Sequence, residues 1–262
     1  MKCIEELLQD KNLASIYLHK LSDKNLIFYD TETTGILKDF SQILQCGSVL
    51  TDEELNTLGE QNIGCAPLPW VIPQPMAMIT NKKIDLFNSN VSHYQMMKDL
   101  QMQWKQWSAQ KPGIFITYNG HAFDEEMVRR QFFWNLLEPY TTNTNGNGRL
   151  DLMLMIHNIA AFFSDEISMP LFEGGPGISY KLEHLAIEHG IDAGDAHDAI
   201  ADCNLMIEMC RIIKDRLPEV FESFVNISTK PGVKELLYSD DFLALGEIHR
   251  SCLLYTYPSQ RD

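Results

Sequence analysis

No C-x-x-C pair occurs in the chain, and no group of His and Cys residues has zinc-site spacing. Six cysteines are scattered along 262 residues. That excludes a zinc ribbon or a thiol redox pair, and it reads as a set of reduced cysteines in a cytoplasmic protein. No apolar run is long enough to cross a bilayer. The first twenty residues, "MKCIEELLQDKNLASIYLHK", carry acids within an apolar pattern. They suit an amphipathic helix, with 1–25 as an N-terminal helical extension, and do not suit a signal peptide. Positive charge is also scarce: 21 Lys and Arg stand against 36 Asp and Glu, a net charge of −15. This argues against a generic polyanion binder, although a local basic track around an acidic metal site stays compatible with it. Internal repeats are missing, and the single biased stretch is "TTNTNGNG", 141–148, read as a polar surface loop.

What is present suits an α/β chain. Strands are expected at "LIFY" (26–29), "QILQCGSVL" (42–50) and "GIFITY" (113–118). Helices are expected over 92–109, 124–137, 150–163, 180–189 and 198–215. "PLPWVIPQP", 67–75, is Pro-rich and reads as an extended loop. Early strands followed by alternating helices and strands imply a mixed sheet flanked by helices.

Acidic residues gather at the ends of these elements. "YDTETTG" follows the first strand, and Asp30 and Glu32, two apart, project to one face. Two such acids repel, and a hard divalent cation with oxygen ligands relieves the repulsion. "GIFITYNGHAFDEEMVRRQFF" places Asp124 at a helix start beside a Phe123/Met127 stripe, with Glu125 and Glu126 as alternatives by composition. "AHDAIADCNLMIEM" poses a third case. Leu205, Met206 and Met209 form an apolar helical stripe, and Asp202 lies on or near it. Either His197 or Asp198 merely caps that helix and Asp202 is solvated, or His197 and Asp202 join a cluster. Each segment alone is a weak signal; the joint order is specific.

That order resembles the DEDD exonuclease superfamily in its histidine-bearing subclass, whose signature is D-x-E, then D, then H-x-x-x-x-D. "HDAIAD" fits the last element, whereas the tyrosine-bearing subclass would need Tyr where Asp198 stands. More narrowly the chain is similar to the bacterial exonuclease I family, through "FYDTETTG", "LTDEELN", "YNGHAFDEEMVRRQFF", "RLDLM" and "YKLEHLAIEHGIDAGDAHDAIAD". The resemblance implies an RNase H-like exonuclease fold with a five-stranded mixed sheet over 26–237. It implies 3′→5′ hydrolysis of single-stranded DNA to 5′-mononucleotides, a part in DNA repair and recombination, and two Mg²⁺ ions, with Mn²⁺ as a substitute. Asp30 would bridge both ions, Glu32 and Asp202 would complete one site, Asp124 would support the other, and His197 would be the general base. Glu32, Lys181, Arg129 and Tyr140 are the expected substrate contacts, with Tyr29 as a further aromatic wall and Phe123 as either another wall or, in preference, a core residue. The expected partners are single-stranded DNA and a single-stranded DNA-binding protein, with no membrane and a monomeric chain. An oligoribonuclease or another exoribonuclease, a proofreading exonuclease, and a silent nucleic-acid-binding module are the rival readings.

The end of the chain carries two further expectations. "DDFLALGEIH" looks like the opening strand of a second, SH3-like domain, cut short within 238–251. "SCLLYTYPSQRD" has no helical or strand period, and "CLLYTYPSQRD" resembles "CLLYTSPSPRD", a translated sequencing adapter. Residues 252–262 are therefore expected to be a non-native tail.

Overall fold

The apolar run "LIFY" lies inside the first strand, β1 (Asn25–Thr33), which carries Asp30 and Glu32 near its C-terminal end. In this computed structural model residues 24–172, 175–194 and 198–239 are described, together with the backbone of two later strands. β1 is the centre of a five-stranded sheet. β2 (Ile43–Thr51) and β3 (Thr57–Gly64) continue from it as an antiparallel meander. β4 (Gly113–Thr117) and β5 (Gly148–Asp151) pair in parallel on its other side, giving the order β3-β2-β1-β4-β5. Parallel neighbours need a crossover. Helix α2 (His93–Trp107) lies between β3 and β4, and α3 (Asp124–Trp134) lies between β4 and β5.

A central strand is buried on both faces, so it reads as a continuous apolar run. Leu26 and Phe28 enter one core with α4 (Leu152–Phe162), α5 (Leu182–Glu188), α6 (Ala199–Arg216) and α7 (Pro218–Ile227). Ile27 and Tyr29 enter a second core, formed with α2 and α3. The expected mixed sheet with helices on both sides is therefore present.

Several elements depart from the sequence reading. β3 is a half-exposed edge strand, "TLGEQNIG", without an apolar face to betray it. Residues 150 and 151 belong to β5, and Asp151 then caps α4 by accepting from Met153 N at 3.1 Å. The extended loop at 67–75 gives way to α1 (Pro75–Asn81), with proline at its first position, where a missing N–H costs nothing. α7 likewise opens on a proline, and α8 (Lys230–Ser239) follows it.

Strands β6 (Leu245–His249) and β7 (Cys252–Thr256) pair antiparallel, Leu245 opposite Thr256. The stretch "CLLYT" is too short to display a strand period in the sequence, yet it pairs with β6. Of the expected N-terminal helical extension, 1–25, residues 1–23 lie outside the described residues, as do 257–262 after β7, and Asn25 already belongs to β1.

Candidate metal-dependent active site

Asp30 pairs across the ladder with Gly47 of β2. A Cβ on Gly47 would lie 2.6 Å from the Ala199 carbonyl carbon and 2.7 Å from Ile200 N. Only glycine lets the first turn of α6 sit this close to the strand. That turn carries Asp202 to the end of β1. One carboxylate oxygen each from Asp30, Glu32 and Asp202 then lies within 4.8 Å of the others. Asp198 caps α6, accepting from Ile200 N at 3.2 Å. Capping and clustering thus coexist on one helical turn. His197 lies outside the described residues.

Burial pushes the Asp30 carboxyl well above the usual range, and the charges of Asp124, Asp202 and Glu32 push it further. Glu32 is pushed up to about 7, by burial first and then by Asp202, with Lys83 opposing. Asp124 rises to about 6 through burial, opposed by a hydrogen bond from the Thr31 hydroxyl. It opens α3 as expected and is buried, but its carboxylate is not among the three that converge. Its two acidic neighbours are engaged elsewhere. Glu125 accepts from Tyr29 Oη at 2.9 Å, Thr142 Oγ1 at 2.6 Å and Arg149 at 3.1 Å. Glu126 pairs with Arg129 and Arg130. The turn before Asp124 is held by Asp151, which accepts from Asn119 N at 2.8 Å and His121 N at 3.1 Å.

A cleft of about 580 Å³ opens beside the cluster, lined by Asp30 and Asp202 and by Tyr118, Asn119, Phe172, Tyr180 and Lys181. Lys181 is exposed there, near Glu183 at 3.5 Å. Tyr118 donates to the Tyr180 carbonyl at 2.5 Å, and the Tyr180 ring packs edge-on against His157. Sequence reasoning missed Tyr118, Asn119, Phe172 and Tyr180, although "YNGH" and "YKLEHL" contain three of them. Arg129 and Tyr140 meet each other and do not line this cleft. The expectation that Tyr29 walls a base is corrected: its ring is buried against Trp104 and Phe115 and its hydroxyl serves Glu125. Phe123 packs against the second core, the other role open to it.

The converging residues fit a hard divalent cation. They offer oxygen atoms alone, and Asp30 and Glu32 are held up by burial and by the charges of neighbouring acids, Asp202 among them, a strain that a cation removes.

A mixed sheet in this order, with two acids ending its central strand and a third delivered by a helix, is the RNase H-like exonuclease fold. Within that fold the chain is a relative of the exodeoxyribonuclease I proteins. It is 30% identical over 210 residues to the one from Escherichia coli, covering 75% of this chain and 41% of that protein. With the Haemophilus influenzae protein it shares 27% over 241 residues, 90% and 50% of the two chains. Exonuclease I from Methylocaldum szegediense superposes with a TM-score of 0.78 at 28% identity, over 89% of this chain and 50% of that one. A zinc-ion-bound complex of E. coli exonuclease I with single-stranded DNA gives 0.73 at 26%, over 81% and 45%. No family model matches. The chain spans about half the length of the curated relatives it matches.

Proposed function

We propose that this chain carries the catalytic domain of a 3′→5′ exonuclease that shortens single-stranded DNA to 5′-mononucleotides, in the service of DNA repair and recombination. The observation that carries the reading is the convergence of Asp30, Glu32 and Asp202 within 4.8 Å at the end of the central strand. Relatives bearing the exodeoxyribonuclease I name support it, and so does the E. coli protein caught with zinc and single-stranded DNA.

In this reading Asp30, Glu32, Asp124 and Asp202 would hold two divalent cations, Mg²⁺ or Mn²⁺, and these would supply charge neutralisation for the phosphodiester and an acidified water. By the resemblance Asp30 would serve both ions; its carboxyl is raised by burial and by the charges of the other three acids. Thr31 fixes the Asp124 carboxylate through its hydroxyl. His197, five residues before Asp202 in the sequence, takes the proton from the attacking water, a role worth roughly 10²–10⁴-fold. The cleft takes the 3′ end, with Tyr118, Phe172 and Tyr180 against base or sugar and Lys181 near a phosphate. Arg129 and Tyr140, paired on α3 and the loop after it, would meet the strand farther from the reacting end. Partnership with a single-stranded DNA-binding protein belongs to the same reading, through the resemblance.

The test is a 5′-labelled single-stranded DNA oligomer incubated with Mg²⁺, with matched RNA alongside. A ladder shortening from the 3′ end, stopped by EDTA and slower on RNA, is expected. Internal cleavage, EDTA-resistant cleavage or a preference for RNA would overturn it.

A further inference from the structure

The acids of the cluster repel one another, so some device must hold β1 and α6 in register before a cation arrives. Segment 74–83 contacts both. Gln74 N donates to the Thr34 carbonyl at 2.7 Å, and its Oε1 accepts from Ile36 N at 3.1 Å. Asn81 Nδ2 donates to the Thr33 carbonyl at 2.9 Å, and Asn81 is buried. These contacts grip the residues that directly follow Glu32. The chain then turns through Lys82 in a left-handed conformation, φ 55°. Lys83 N donates to Asn81 Oδ1 at 3.2 Å, and Lys83 Nζ meets Asp198 Oδ2 at 2.8 Å. The Lys83 side chain is 15% exposed and that of Asp198 33%, so the pair is partly shielded from water. Asp198 caps α6 four residues before Asp202, and Gln45 Nε2 of β2 touches the same oxygen at 3.4 Å.

We propose that Lys83 is a positioning residue: through Asp198 it locks the first turn of α6 to the strand end that bears Glu32, and so presets the distance between Glu32 and Asp202. Lys83, Asn81 and Gln74 act together as a clasp across the two elements. The inference rests on the metal-site reading above.

Direct Mn²⁺ binding, read by electron paramagnetic resonance on the whole chain without substrate, tests it. If Lys83 acted by charge alone, Lys83→Met would tighten Mn²⁺ binding, because a cation is removed. Asp198→Asn would loosen it, because an anion is removed. A positioning role loosens both, and Asn still caps the helix. Each variant is expected to bind Mn²⁺ roughly 10-fold more weakly, the lower end of what outer partners cost a metal site. The double variant should be no weaker than the worse single one, and Lys83→Arg should recover most of the affinity. Thermal unfolding of each variant without metal verifies the fold, and Lys83→Gln, which also removes the charge, takes the place of Lys83→Met if that variant unfolds. Unchanged or tighter binding by Lys83→Met, or losses that add in the double variant, would overturn the proposal. A wild-type chain that binds no Mn²⁺ would overturn the metal-site reading itself, and this inference with it.

Discussion

At the scale of single residues, the cluster opposes stability to chemistry. Removing one of several repelling acids relieves the folded chain while emptying a ligand position. Asp30→Asn, Glu32→Gln and Asp202→Asn should each cut hydrolysis by more than about 100-fold, beyond the loss of an outer partner. Each should unfold at an equal or higher temperature than wild type in EDTA. A variant with near-wild-type turnover in Mg²⁺ would remove that residue from the site. The same logic gives a pH dependence. Glu32 sits at about 7 and Asp124 at about 6, and burial raises Asp30 well above its ordinary value. Between about pH 4, where unfolded carboxyls titrate, and pH 7 these three carboxyls therefore hold more protons in the folded chain than in the unfolded one. Their contribution to the stability of the metal-free protein falls as pH rises through this window, while His93, His121 and His157, held below the ordinary imidazole value chiefly by burial, contribute with the opposite sign. Mg²⁺ should restore the carboxyl contribution, and by more at pH 8 than at pH 5.5. Melting curves of wild type and Glu32→Gln decide the point: the variant should lose part of the slope, and parallel curves would mean that Glu32 does not titrate there.

At the scale of elements, close approach between α6 and β2 is what assembles the site. A Cβ at position 47 meets backbone atoms at 2.6–2.8 Å, which cannot step aside as a side chain would. Gly47→Ala should destabilise the fold by about 1–3 kcal/mol. It should also slow turnover by up to about 10²-fold, as expected for a displacement near 1 Å. Melting temperature and kcat measured together check this, and unchanged kcat would mean that α6 docks without that contact. Elements of this kind were unequally legible in the sequence. "LIFY", "QILQCGSVL" and "GIFITY" announced β1, β2 and β4 because central strands are apolar on both faces. β3 is a polar edge and β5 has four residues, so neither carries a period. Asp30 and Glu32 were legible through their spacing of two. Asp124 was singled out by its place beside the Phe123/Met127 stripe, while composition alone did not separate it from Glu125 and Glu126, because the groups that engage Glu125 come from Tyr29, Thr142 and Arg149, distant in sequence. Lys83 was invisible for the same reason, standing 115 residues from Asp198.

At the scale of the whole molecule, the net charge of −15 opposes the approach of a nucleic acid. Binding must then depend on where the few cations stand. Lys181 is exposed at the mouth of the cleft that holds Asp30 and Asp202, with the weakly placed Glu183 as its nearest acid at 3.5 Å. A lysine so placed is free to exchange that contact for a phosphate. Arg129 differs: Glu126 holds its guanidinium at 2.6 Å, so a phosphate must displace a formed ion pair. Each phosphate neutralised on a single strand contributes about −0.7 to the slope of log K against log salt concentration. Lys181→Ala should therefore weaken binding of a single-stranded oligomer and flatten that slope by about 0.7, whereas Arg129→Ala should flatten it by less. Fluorescence anisotropy across a salt series, in Ca²⁺ to suppress turnover, separates the two. An unchanged slope in Lys181→Ala would mean that its ammonium remains in water when the strand is bound, and that the anionic strand is neutralised by cations elsewhere on the chain.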